Sequence, residues 1–296
     1  LYDWRMSMNT LYEVSSFTVA GEGGNLAGVK LLKEDENLST NEMQVIAKAL
    51  NYSETAFVKP LNKGEFQLRY FTPLAEVPLC GHATIAAFSL MSQLNQLAMG
   101  NYIMHTKAGR LSISVLAEAT IFMEQSLPIF YDEKPDRGLI AHSLGIETSD
   151  IPSDYPIEIV STGLKDLIIP VKNTTILQNL KPNMNKIREI SDQLDIIGYH
   201  VFALDEENQH LIHCRNFAPL VGIDEEYATG TSNGALACYL FKYDTLQGNV
   251  EYTFSQGRQS IQQKGKVLVE LKATGAKIEQ VFVGGQAVVK RSLDNL

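Results

Sequence analysis

Cysteine is scarce in this chain. Cys80, Cys214 and Cys238 are the three among 296 residues. An odd count, at spacings that fit neither a disulfide framework nor a zinc motif, excludes a disulfide-stapled secreted domain and a structural zinc site. It points to a reducing, cytoplasmic setting. Tryptophan is scarcer still: Trp4 stands alone, inside residues 1–7, which read as an expression remnant ahead of a natural start at Met8. No uninterrupted apolar run approaches the roughly 20 residues that a spanning helix needs, and no signal-peptide pattern opens the chain. Positive charge is in deficit, with 25 Lys and Arg against 34 Asp and Glu, a formal charge of −9. That balance argues against nucleic acid or an anionic membrane as the main partner. The six histidines show no metal spacing, and the glycine run 21–24 lacks the Lys-Ser/Thr that would make it a phosphate loop. No metal site is expected from these residues.

What is present is a long alternation of short strands with a few helices. Residues 11–17 and 27–32 read as strands about a Gly-rich turn. Ser39 and Glu42 form a capping box that opens a helix with Met43, Ile46, Ala47 and Leu50 on its buried face. Strands follow at 53–58 and 66–71, the second closed by Thr72-Pro73. The segment Ile85-Ala86-Ala87-Phe88, continuing through Leu90, Met91, Leu94 and Leu97, is too apolar all round for a surface helix and reads as buried. Strands at 102–104, 109–115 and 120–125 complete this part. Residues 126–156 hold four of the ten prolines and an acidic run, 132–136, and mark the expected domain boundary. A short helix is expected within them near 139–144.

The second part repeats the order of the first. Strands are expected at 157–161, 166–171, 199–204 and 211–217, with a helix over 185–194. A buried helical segment covers 235–241, and strands at 251–254, 260–263, 267–271 and 280–283 finish the half. Arg69-Tyr-Phe-Thr-Pro73 leads to Cys80-Gly-His-Ala-Thr84 and a core helix; Arg215-Asn-Phe-Ala-Pro219 leads to Thr229-Gly-Thr-Ser-Asn233 and another. An internal duplication is the economical explanation. The expected fold is α+β, with two similar domains, each a β-barrel-like sheet wrapped around a central α-helix. The first covers 8–126 plus 286–296 and the second 127–285.

Two buried helices offer two N-termini, where unpaired amides and the helix dipole favour an anion. If both face one cleft, a small carboxylate fits there. Glu54 stands in the strand Ser53-Glu-Thr-Ala-Phe-Val58, whereas the matching strand at 199–204 has no carboxylate. Burial of Glu54 would raise its pKa toward the range useful for proton transfer near neutrality.

Gly24-Asn25, Ser53-Glu54-Thr-Ala-Phe57, Arg69-Tyr-Phe-Thr-Pro73, Glu76-Val-Pro-Leu-Cys-Gly-His-Ala83 and Glu225-Glu-Tyr-Ala-Thr-Gly-Thr231 together resemble the PhzF family, over essentially all of 8–296. The resemblance implies the diaminopimelate epimerase fold, with the last strand near 287–290 returning to the first domain. It also implies a cofactor-free isomerase, commonly a homodimer, with its active site between the domains. By the same resemblance Glu54 is the catalytic acid/base, His82 the active-site histidine, and Gly81 and Gly230 the glycines whose amides hold a substrate carboxylate. Asn25 and Thr231 join the substrate-binding set. Glu226 stands where the family usually has Asp, Thr231 where it has Ser, and Tyr227 where it has Pro. The longer acid matters, because displacements of about 1 Å can cost on the order of 100-fold in rate.

Two other readings compete. An epimerase or racemase of this fold sets one cysteine at each core-helix start, but here the pair is Cys80 and Thr229, and a hydroxyl cannot replace a thiol at neutral pH. A non-catalytic anion-binding protein would gain nothing from an uncompensated Glu54.

Overall fold

In the computed structural model residues 11–293 are described, so the remnant expected at 1–7 lies outside the described residues. The chain is a mixed α/β protein dominated by sheet, and it divides into two compact units that part between Glu124 and Gln125 and again between Val283 and Gly284.

The first unit runs β1 (Leu11–Ser16), β2 (Asn25–Leu31), α1 (Thr40–Leu50), β3 (Glu54–Asn62), β4 (Glu65–Phe71), β5 (Glu76–Val77), α2 (Gly81–Gln93), β6 (Gly100–Thr106), β7 (Gly109–Val115) and β8 (Ile121–Gln125). The second runs β9 (Ile129–Tyr131), α3 (Arg137–Leu144), β10 (Glu158–Ser161), β11 (Lys165–Pro170), α4 (Thr174–Gln178), α5 (Met184–Gln193), β12 (Gly198–Leu204), β13 (Leu211–Ala218), β14 (Ile223–Glu226), α6 (Gly230–Lys242), β15 (Glu251–Gly257), β16 (Lys264–Thr274) and β17 (Lys277–Gly285). The last strand, β18 (Ala287–Ser292), belongs to the first unit and pairs with β1.

Both units use one pairing scheme. In the first, β1 and β2 are antiparallel, β2 and β3 parallel across α1, β3 and β4 antiparallel, and β4 and β6 parallel across α2. In the second, β10 and β11 are antiparallel, β11 and β12 parallel across α4 and α5, β12 and β13 antiparallel, and β13 and β15 parallel across α6. Each parallel step needs a crossover, and each crossover is helical, as parallel pairing requires.

Residues 82–91 of α2 and 232–240 of α6 are buried without interruption. A helix covered on all sides must be apolar or small all round, which Ile85, Ala86, Phe88, Leu236 and Leu240 supply. α2 packs against β1, β2, β3, β7 and β18, and α6 against β10, β11 and β16. The surface helix α1 is held differently. Ser39 Oγ accepts from the Glu42 N–H while the Glu42 carboxylate accepts from the Ser39 N–H, and Met43 and Ala47 face the core. Loss of such a cap costs about 1 kcal/mol.

Expected elements needed correction in three places. Residues 260–263 are not a strand but a 3-10 turn over Ile261–Gln263, in which Gln263 N–H bonds Ser260 O and the Ser260 hydroxyl bonds Gln262. Local side-chain bonds of this kind compete with strand pairing. The boundary region 126–156 holds, besides the expected helix, a strand that was not expected, β9, which pairs with β10. Its acidic stretch 132–136 is mostly exposed. Helix α4, five residues long, escaped periodicity altogether, since so short a segment barely completes a turn.

Candidate active site

The two core helices start unlike the other four. Ser39, Asp136, Asn173 and Asn183 each cap α1, α3, α4 and α5 with a side-chain oxygen. Cys80 and Thr229 hold extended backbone at the starts of α2 and α6 and supply no side-chain cap. A helix start without a side-chain cap keeps its affinity for an external anion.

In the first unit, Glu54 opens β3 beside the start of α2. The parallel register sets it against Ala27 of β2, and Asn25 lies two residues before Ala27, half-buried at the same end of the sheet. His82, the second residue of α2, is buried, with Nε2 3.2 Å from Glu54 Oε2 and 3.2 Å from Ser53 Oγ. Cys80 Sγ lies 3.5 Å from His82 Nδ1. Glu54 keeps 21% of its side chain exposed. Its Oε2, although within ion-pair distance of His82, is buried and accepts no well-aligned hydrogen bond.

The protonation states follow from these neighbours. Burial pushes the Glu54 carboxyl up, but the His82 ring, then Ser53 and Cys80, outweigh it, and the group is held below its ordinary 4.5. The expectation that burial would raise Glu54 is thereby overturned: a cationic neighbour at contact distance wins over partial desolvation. Burial opposes the charge on His82, yet Cys80 and Glu54 hold its pKa well above 6.5. Burial raises the Cys80 thiol above its ordinary 9.0, so across the neutral range Cys80 supports the imidazolium as a hydrogen-bond partner and Glu54 supplies the countercharge. One donor atom each from Glu54, Cys80 and His82 lies within 4.8 Å of the others. That set could hold a thiophilic divalent ion, but only by taking the carboxylate lone pair that proton transfer needs.

In the second unit, Glu226 ends β14 opposite Asn216, and its Oε2 accepts from Thr229 Oγ1 at 2.7 Å. Gly230 and Thr231 are the first two residues of α6. The Thr231 carbonyl accepts from Thr162 Oγ1 at 3.0 Å. The register places Gly198 where the first unit has Glu54. A Cβ at Gly198 would stand 2.1 Å from the Phe217 carbonyl oxygen, so no side chain fits there.

The profile of the phenazine biosynthesis-like (PhzC-PhzF) family matches residues 14–292. An uncharacterized isomerase of Clostridium acetobutylicum is 36% identical over 292 residues, 94% of this chain and 95% of the relative. The chain belongs to the PhzF family. A second relative, the uncharacterized isomerase YddE of Escherichia coli K12, is 32% identical over 94% of this chain and 95% of its own. The crystal structure of a PhzF-family phenazine biosynthesis protein from Bacillus anthracis superposes with a TM-score of 0.85 at 29% identity, covering 97% of this chain and 99% of that one. The fold is diaminopimelate epimerase-like.

Within this PhzF-family chain the structure gathers Glu54, His82, Gly81 and Asn25 at one end of the first unit. It gathers Glu226, Gly230 and Thr231 at the start of α6 in the second. Sequence reading missed Ser53, whose hydroxyl reaches His82, and Asp166. Asp166 is 2% exposed, pairs with Gly198 across β11 and β12, and accepts from Ser232 Oγ at 2.7 Å. Burial, and secondarily the charge of Glu226, push it up to about 7 against the pull of Ser232. The signal was available: a lone acid in the apolar run Asp166-Leu-Ile-Ile-Pro170 is costly unless partnered.

Gly81 gives a clean test of what its missing side chain is for. A Cβ there would meet only Met123 Cε, at an ordinary 3.7 Å. Gly81→Ala should therefore fold with undiminished stability by thermal melting, since alanine is the better helix former. Ligand turnover should nevertheless fall at least about tenfold, because the methyl group blocks close approach to the amide. Full turnover in this variant would remove Gly81 from the binding set.

Proposed function

We propose that the protein is a cofactor-independent isomerase that moves a proton between carbons of a small unsaturated carboxylate. The observation that carries this reading is the Glu54 carboxylate: ionised, with Oε2 set 3.2 Å from the His82 ring, and with 21% of its side chain still exposed to a ligand. A carboxylate kept ionised and open to a ligand can take a proton from carbon. In the first unit the Gly81 amide would take the substrate carboxylate and Asn25 orient the rest; in the second, Gly230, Thr231 and Glu226 are assigned to substrate binding at the start of α6. As Glu54 takes the proton, negative charge develops on the substrate. His82, fixed in position and positive, stabilises it. Glu54, now protonated and able to exchange with solvent through its exposed edge, then gives a proton to the conjugated carbon. The matched pairing schemes support an origin by internal duplication, with the acid/base retained in one unit.

The epimerase or racemase reading gains no support. Cys80 is held as a neutral thiol, and Thr229 spends its hydroxyl on Glu226. The anion-binder reading leaves the Glu54 charge as pure cost, since it repels the anion that the helix starts attract.

The pH profile tests the assignment. Glu54 must be deprotonated, so the rate should fall as pH drops through a value below 4.5, the ordinary carboxyl value. His82 must be protonated, so the rate should fall again as pH rises through a value well above 6.5. Turnover of cyclohexadienyl or 2,3-unsaturated hydroxy and amino acids, followed against pH, should show a plateau covering that interval. An acid limb centred near neutrality would refute the ionised-base assignment.

A further inference from the structure

The second unit contains a buried polar chain with no counterpart in the first. Asp166, His200, Asn216, Ser232, Asn233 and Gln256 are each at most 2% exposed. By register, the first unit has Ala27 at the place of Asp166, Ala56 at His200, Tyr70 at Asn216, Ala83 at Ser232 and Thr84 at Asn233. At these positions the same frame therefore folds with three alanines and one Tyr70–Thr84 hydrogen bond. Buried polar groups cost free energy unless fully partnered, so folding alone does not call for them in the second unit.

Every donor direction in this chain is determined. The Thr229 carbonyl can only accept, so Asn233 Nδ2 faces it, at 2.9 Å, and Asn233 Oδ1 faces His200 Nε2, at 3.2 Å. His200 must then carry its proton on Nε2, and its Nδ1 accepts from Asn216 Nδ2 at 3.1 Å. Asn216 also donates to Ser232 Oγ, which donates to Asp166 Oδ2. In the other direction Asn233 Nδ2 donates to Gln256 Oε1. The Glu226 carbonyl orients Gln256, whose Nε2 donates to it at 2.7 Å and to Thr229 Oγ1 at 2.9 Å. The Thr229 hydroxyl is left to donate to Glu226 Oε2 at 2.7 Å. The chain thus ends in a carboxyl group at each end, each receiving an O–H.

We infer that this chain is a positioning device for Glu226: it fixes the rotor of Thr229 so that its O–H is aimed at the Glu226 carboxylate, with His200 as an obligatorily neutral link. Protonation of His200 would set an N–H against the Asn216 N–H, and burial already lowers its pKa to about 4. The inference rests on the proposed role of Glu226, but its test does not need turnover.

The test is carbon-13 and nitrogen-15 NMR of the full chain labelled at Glu and His. In the natural protein His200 should show one neutral tautomer, protonated at Nε2, throughout the neutral range. Asn233→Thr installs the residue that the first unit uses: Thr84 Oγ1 bonds the Cys80 carbonyl there, so the variant keeps the helix bond and should fold. It removes the acceptor for His200 and the donor to Gln256. His200 should then lose its single tautomer, and the Glu226 carboxyl should titrate higher by about one pH unit. Thr229→Val, which deletes the O–H itself, should raise Glu226 by at least as much, and Thr229→Ser should not. Should Asn233→Thr fail to fold, Gln256→Thr, after Thr106 at that register, breaks the chain one link on and is read in the same way. An unchanged Glu226 titration in the folded chain-breaking variant would overturn the inference, as would an Nδ1-protonated His200 in the natural protein. Neither result would bear on whether Glu54 moves a proton.

Discussion

Glu54→Gln is expected to lower proton exchange at carbon by roughly three orders of magnitude, within the range that general acid–base groups contribute. The amide keeps the size of the side chain but cannot take a proton. It also removes one of the two partners, with Cys80, that raise the His82 pKa, so the imidazole should titrate lower in the variant. Substrate affinity should stay or improve, because an anion near the start of α2 no longer meets a carboxylate. The loss should therefore appear in kcat and not in KM. Glu54→Asp should recover only part of the rate, since withdrawal by one methylene moves the base by about 1 Å. A variant that retained exchange within tenfold of the natural rate would transfer the acid/base role elsewhere.

The second large effect concerns stability. Arg215→Ala is expected to destabilise the protein by about 3 kcal/mol, the lower end of the usual cost of breaking a buried ion pair, because Arg258 Nε still bonds Glu225 Oε2 at 2.8 Å. Arg215 and Glu225 expose 3% and 4% of their side chains, and two bonds join them, Nε to Oε1 at 2.7 Å and Nη2 to Oε2 at 3.0 Å. Arg215 Nη1 also donates to the Leu177 carbonyl of α4, at 3.2 Å. The guanidinium thus ties α4 to β14, the strand that ends in Glu226. The first unit supplies a comparison, because Arg69 and Glu76 make the same two-pronged contact with 23% and 8% exposure. Water reaches that pair more easily, so Arg69→Ala should cost only about 1–2 kcal/mol. Urea denaturation of both variants measures the difference, and equal losses would mean that burial is not what sets the cost.

Features that depend on neighbours in the chain could be read from the sequence. The Ser39–Glu42 cap, the all-round apolarity of α2 and α6, and the repeated Arg-x-Phe-x-Pro strand ends all lie within a few residues. Gly81, His82, Gly230 and Thr231 could be placed at helix starts for the same reason. Glu54 was identified correctly as the odd acid, but its ionisation was misjudged, because the sign depends on His82 standing 3.2 Å away. The chain from Asp166 to Glu226 could not be seen at all. Its members come from β11, β12, β13, β14, β15 and α6 and meet only through strand pairing, so His200 looked like one of five scattered histidines. Gly198 explains the absence noted at 199–204: the second unit has no room for a side chain there and carries its buried acid, Asp166, on the adjacent strand.

The most direct measurement is hydrogen exchange in deuterated buffer, read by mass spectrometry on small unsaturated carboxylates incubated with the protein, with and without prior dialysis against a chelator. The account predicts that a turned-over compound gains deuterium at carbon, at the same rate in both preparations. A carboxylate that binds tightly, yet emerges with no deuterium at carbon under any condition, would contradict it.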